Sequence, residues 1–79
     1  MTLAEAFGAA VRRLRALKGF SQEGFAHHAG ISRTYMSEVE RGTTNVSLET
    51  LNRVAIGLGI SIEELARELE KELVSQERR

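Results

Sequence analysis

An all-α domain of five short helices is the fold these 79 residues predict, on three observations. Apolar residues recur at three- and four-residue spacing, and no stretch shows the sustained alternation of a strand. Serines and threonines stand where helices would begin, and glycines where they would end. There is no proline to break a helix.

The first helix opens on "TLAE", residues 2–5, a capping box in which the Thr2 hydroxyl and the Glu5 carboxylate satisfy backbone N–H groups reciprocally. Leu3, Phe7, Ala10, Val11, Leu14 and Leu17 form its apolar face, and Lys18–Gly19 ends it. Ser21 caps a second helix reaching about Ala29, with Phe25, Ala26 and Ala29 inward. Gly30 permits a sharp turn, and Ser32 caps a third helix that runs to about Arg41 before Gly42. After the polar loop "GTTNV", Ser47 caps a fourth helix carrying Leu48, Leu51, Val54, Ala55 and Leu58. "SIEE", residues 61–64, is a second capping box and opens a fifth helix to about Val74. The terminal "SQERR" is expected to fray, with Arg78 and Arg79 solvated.

A chain of this length is one domain, residues 1–79, and buries only about 60–65% of its unfolded surface. It has no cysteine, which fits a reducing cytoplasm and leaves neither disulfides nor thiolate metal sites to staple the core. No secretion signal opens the chain, and no apolar run approaches the roughly 20 residues of a membrane span. The net charge of zero argues against a protein that coats nucleic acid indiscriminately. The charges are nonetheless segregated. Residues 10–41 carry six basic against three acidic side chains, and residues 61–79 carry four basic against six acidic.

The second and third helices, two short segments joined by a tight turn, have the spacing of a helix-turn-helix. A plain helical hairpin has similar spacing, so the outward face of the third helix must decide. At 3.6 residues per turn, Arg33, Thr34, Ser37, Glu38 and Arg41 share an arc of roughly 140°. Met36 and Val39 lie opposite, with Tyr35 on a flank. Arginine can grip guanine O6 and N7 with two hydrogen bonds, and threonine can touch a thymine methyl or a phosphate. Taken by itself, the same face also reads as an ordinary solvated surface.

"SQEGFAHHAGISRTYMSEVERG", residues 21–42, resembles the helix-turn-helix of the phage repressor/Cro-like (lambda repressor-like) DNA-binding family. "RRLRALKGFSQ" before it and "SLETLNRVAIGLGIS" after it extend the likeness over roughly residues 5–62. "SRTYMSEVERG" followed by "NVSLETL" is especially similar to the controller proteins of restriction–modification systems. The resemblance implies a compact five-helix domain acting as a homodimeric, sequence-specific regulator of transcription on a near-palindromic operator. A phage-type or antitoxin-like repressor would share most of these residues. The rival from another class is a helical protein-interaction module without DNA binding. Regulation of transcription would make RNA polymerase a further partner, although no polymerase surface is legible here. No cofactor or small-molecule ligand is expected.

The resemblance also implies residue roles. Arg33, Thr34, Ser37 and Glu38 would read bases. Gln22, Tyr35, Arg41, Thr43, Thr44, Asn45 and Ser47 would lie along the sugar–phosphate chain, where half or more of protein–DNA hydrogen bonds fall. Glu38 is the awkward member, since it repels phosphates. It must accept from a cytosine amino group, pair with Arg41 or Arg33, or exclude wrong sequences. Arg15 and Glu40 are expected to form a largely buried ion pair between the first and third helices. Gly24 departs from the family pattern at a cost of about 1 kcal/mol against alanine. His27 and His28 point in different directions, and with no cysteine or third histidine they make a poor metal site. No residue constellation for catalysis is present, so an enzyme is not expected. On the fifth helix, about residues 61–74, Ile62, Leu65, Ala66, Leu69 and Leu73 share a stripe of about 100°. The early part of that stripe could simply complete the domain core, whereas Leu69 and Leu73 continue beyond where the family's minimal domain ends. Ile62, Leu65, Leu69 and Leu73 are expected to form the dimer interface. That dimer would set two recognition helices about 34–36 Å apart, one turn of DNA.

Overall fold

The computed structural model describes residues 1–77, and its helices begin where the capping residues predict. They are α1 (Leu3–Leu17), α2 (Gln22–Ala29), α3 (Arg33–Arg41), α4 (Leu48–Leu58) and α5 (Ile62–Glu77). Both capping boxes form. Glu5 N–H donates to Thr2 Oγ1 at 3.1 Å while Thr2 N–H donates to Glu5 Oε1 at 2.7 Å, and Ser61 and Glu64 repeat the exchange. Ser21, Ser32 and Ser47 each accept from the N–H three residues on. A Cβ on Gly24 would sit 2.9 Å from Ser21 Oγ. Glu5, Tyr35, Thr50 and Glu64 carry side chains at the same position after the other four caps, so nothing in the structure explains this glycine. Helix α5 continues three residues past the expected end at Val74, through part of the segment expected to fray. Arg78 and Arg79 lie outside the described residues.

One core is shared by all five helices. Phe7 and Val11 of α1, Phe25 of α2, Met36 and Val39 of α3, Val54 and Leu58 of α4, and Leu65 of α5 are buried together. Three residues of the expected apolar faces are exposed instead. Leu3 and Leu17 stand at the two ends of α1, and Leu48 at the first position of α4, 84% exposed. Periodicity identifies a helix face but not how far along it the neighbouring helices reach.

The α5 stripe divides between the core and the surface. Leu65 is 1% exposed and belongs to the core of the single chain, so it cannot serve a dimer interface. Leu69 packs against that core and Leu73 is half-buried, which leaves only Ile62 largely exposed. Helix α5 also brings Glu68 and Glu72 to α1. Arg13 donates from Nη1 to Glu68 Oε1 and from Nε to Glu72 Oε1, both at 3.0 Å. Lys71 Nζ lies 2.7 Å from the other Glu68 oxygen. Hydrogen bonds from Lys71 and then Arg13 hold the Glu68 carboxyl below its ordinary range, and those to Glu72 and Glu68 push the Arg13 guanidinium up. Among the described residues, no helix is long and apolar enough to cross a membrane.

The crossing of α1 and α3 places the recognition face. Gly8 is buried where α3 ends, and a Cβ on it would lie 2.3 Å from the Val39 carbonyl oxygen and 2.7 Å from that of Glu40. Only a bare backbone allows so close an approach. Seven residues along α1, Arg15 meets Glu40 as expected, donating from Nε to Oε2 at 2.6 Å and from Nη2 to Oε1 at 3.0 Å. The pair is largely buried, the side chains being 13% and 4% exposed. A third donation, Arg15 Nη1 to the Phe20 carbonyl at 2.8 Å, ties in the segment between α1 and α2. The Glu40 hydrogen bonds push the Arg15 guanidinium further above its ordinary range.

Glu40→Ala strands the Arg15 charge and is expected to lower the unfolding free energy by about 3–5 kcal/mol. An unchanged melting temperature would contradict the burial of the pair. Gly8→Ala gains helix propensity yet must push α3 away. Urea titration is expected to show a net loss of about 1–3 kcal/mol, the cost of overpacking.

Candidate nucleic-acid interface

The turn between α2 and α3 is built from local chemistry. Gly30 takes the left-handed conformation, φ 72°, that ends α2, and Ile31 N–H donates back to the Ala26 carbonyl at 2.9 Å. Helix α4 then holds the turn from outside. Arg53 donates from Nη1 to the Gly30 carbonyl and from Nη2 to Glu49 Oε1, both at 3.0 Å. Arg53 was not anticipated from sequence, because its partner is a backbone carbonyl 23 residues away.

With Met36 and Val39 buried, α3 turns its polar face outward as the helical spacing predicts. Arg33, Thr34 and Arg41 are exposed, and Ser37 and Glu38 are half-buried. Gln22, at the first position of α2, joins Arg33, Thr34, Ser37 and Arg41 to line a shallow groove of about 270 Å³. Two arginines and no carboxylate line it, beside the N-terminus of α2, whose first N–H groups have no intrahelical acceptor. The groove is chemically suited to an anion.

Arg41 Nη1 donates to Ser37 Oγ at 3.0 Å. Among the described residues the Glu38 carboxylate pairs with neither Arg33 nor Arg41, which closes one of the expected uses for it. The Glu38 backbone carbonyl does have a role: it accepts from Thr43 N–H at 3.1 Å and Thr43 Oγ1 at 3.2 Å, so the loop is tied to the end of α3. Thr43, Asn45 and Ser47 are exposed beside α3, and Thr44 is half-buried with its hydroxyl 3.5 Å from the Asn45 carbonyl.

Two expected backbone contacts have other partners in the free chain. The Tyr35 hydroxyl, expected at a phosphate, lies 3.5 Å from Thr50 Oγ1, and Ser47 Oγ donates to the same atom at 3.1 Å. Thr50 thus joins α3 to the start of α4, a link that a hydroxyl on a mostly apolar helix face did not announce. Gln22 Nε2 donates to Glu40 Oε1 at 3.1 Å, attaching α2 to the buried ion pair. His27 and His28 are exposed, and the His28 ring stacks on Phe20 with centroids 5.0 Å apart. Among the described residues, no three His, Cys, Asp or Glu side chains stand together as metal ligands.

Comparison with known proteins agrees with this fold. The helix-turn-helix family model matches residues 11–76. The control protein C.MunI from Mycoplasma sp is 45% identical over 67 residues, spanning 84% of this chain and 90% of that protein. The crystal structure of the clp gene regulator ClgR from Corynebacterium glutamicum superposes with a TM-score of 0.92 at 37% identity, over 99% of this chain and 83% of that one. The restriction–modification controller protein C.Esp1396I, crystallised as a tetramer with its natural 35 base-pair operator, superposes with a TM-score of 0.86 at 28% identity. That likeness spans 94% of this chain and 97% of the other. On the family match and the shared fold together, the chain belongs to the helix-turn-helix family.

Proposed function

We propose that this chain is a sequence-specific regulator of transcription that binds a near-palindromic operator as a homodimer. The groove lined by Gln22, Arg33, Thr34, Ser37 and Arg41 is the observation that carries this reading. An exposed arginine and threonine begin a helix whose other side is fixed in the core, so the polar face can enter a major groove as a rigid body. Arg33 and Thr34 take the first base-reading positions, with Ser37 and Glu38 one turn on. Gln22, Arg41, Thr43, Thr44, Asn45 and Ser47 position the backbone, and Tyr35 joins them by exchanging Thr50 for a phosphate. Glu38 accepts from a cytosine amino group or excludes other sequences. The likeness to the control protein C.MunI and the restriction–modification controller C.Esp1396I supports control of restriction–modification genes. We place this control in the cytoplasm, with RNA polymerase as the partner that operator occupancy admits or blocks.

The dimer surface joins the exposed part of the α5 stripe to α4. Leu48 and Ile56 lie on one face of α4 and are 84% and 69% exposed, and Ile62 opens α5 at 49%. Isolated exposed apolar residues are ordinary; three large ones on one helix and the start of the next mark a surface to be covered. Ile62 therefore keeps its expected role, Leu69 and Leu73 contribute at most their exposed edges, and Leu65 none.

Arg33→Ala is expected to cost about 1–3 kcal/mol of operator affinity and to relax preference at one base position. Anisotropy titrations at one fixed salt concentration measure both. Failure of the unaltered protein to bind any duplex in a salt-dependent way would favour the protein-interaction module. Ile56→Glu should convert a dimer at tens of micromolar into a monomer by sedimentation, with helical content unchanged. A wild-type monomer under those conditions would contradict the dimer.

A further inference from the structure

We infer that Glu40, beyond its ion pair, is a positioning residue for operator binding: its carboxylate orients the Gln22 amide so that a donor N–H faces the DNA backbone. The inference rests on the DNA-binding reading and on one contact, Gln22 Nε2 to Glu40 Oε1 at 3.1 Å. A carboxylate only accepts hydrogen bonds, so the amide must turn its nitrogen, never its carbonyl, toward Glu40. One of the two hydrogens on that nitrogen is thereby used, and the direction of the other is set. Gln22 lines the groove at the first position of α2, where the first backbone N–H groups have no intrahelical acceptor. An arriving phosphate then meets an ordered donor instead of a freely turning amide.

The negative charge of Glu40 does not defeat this arrangement. Arg15 holds both carboxylate oxygens, at 2.6 and 3.0 Å, and so neutralises the group directly behind the amide. Oxygen Oε1 is shared by Arg15 and Gln22, which makes the amide the outermost member of one chain of hydrogen bonds running from α1 through α3 to α2. In Glu40→Gln only one carbonyl oxygen remains, and the guanidinium takes it. The new NH₂ then faces Gln22 and inverts its amide, so the carbonyl is presented to the phosphate.

A double-mutant cycle tests this, with the tightest duplex that the unaltered protein selects from random sequence as the probe. Gln22→Ala is expected to weaken binding about tenfold, the range of one charge-assisted hydrogen bond. Glu40→Gln should weaken it by a comparable factor, and the double variant should be no weaker than Gln22→Ala alone. A Glu40→Gln loss that persists in full in the Gln22→Ala background would overturn the inference, because Glu40 would then act through the fold. Should Glu40→Gln not fold, a nitrogen–proton spectrum of the wild-type protein decides. Separated, slowly exchanging Gln22 amide protons support the contact, and shifts of a free glutamine side chain overturn it. Absence of any salt-dependent duplex binding by the wild-type protein would instead overturn the DNA reading itself, and this assignment with it.

Discussion

The polar face that α3 turns outward depends on how α1 crosses α3. Two features set that crossing, one steric and one electrostatic. At Gly8 the α1 backbone lies against the carbonyls of Val39 and Glu40, closer than any side chain would allow. At Arg15 a guanidinium reaches the other end of the contact and closes on Glu40 with two hydrogen bonds. The glycine fixes distance, and the ion pair fixes rotation and register. A buried ion pair adds little net stability against an apolar substitute, so its contribution here is read in geometry. Where α3 points follows from α1, and where Gln22 points follows from Glu40.

The remaining contacts extend that frame without resetting it. Arg53 anchors the turn before α3, Thr43 anchors the loop after it, and Thr50 meets Tyr35 on its flank. The recognition helix is therefore held at its start, middle and end by polar contacts, while Met36 and Val39 fasten its inner side. A base-reading helix gains from such rigidity, because few side chains need ordering when it docks. The zero net charge also makes sense in this frame. Carboxylates of α5 face α1 through Arg13 or line the outer surface, and they offset a basic half that contains the groove.

Much of this was legible in the chain, and the boundary is physical. Capping hydroxyls act on N–H groups three residues away, so Thr2, Ser21, Ser32, Ser47 and Ser61 marked all five helix starts. The two sides of α3 followed from its own periodicity. The Arg15–Glu40 pair came from resemblance to a family, since no local rule joins residues 25 apart. Contacts that exist only after folding stayed hidden, among them Arg53 with the Gly30 carbonyl and Gln22 with Glu40. Gly8 left one faint trace, a glycine beside Phe7 in an otherwise strong helix. The α5 stripe left two uses open, core or interface, because periodicity does not say how far neighbouring helices reach. The contacts of Arg13 with Glu68 and Glu72 join residues 55 and 59 apart.

Selection of bound duplexes from a random-sequence pool, at one stated salt concentration, tests most directly whether two rigidly held copies of α3 read DNA together. The predicted result is a near-palindromic motif whose half-site centres lie about 10 base pairs apart, one helical turn. A single half-site without a symmetry mate, or a pool with no enriched motif, would contradict it.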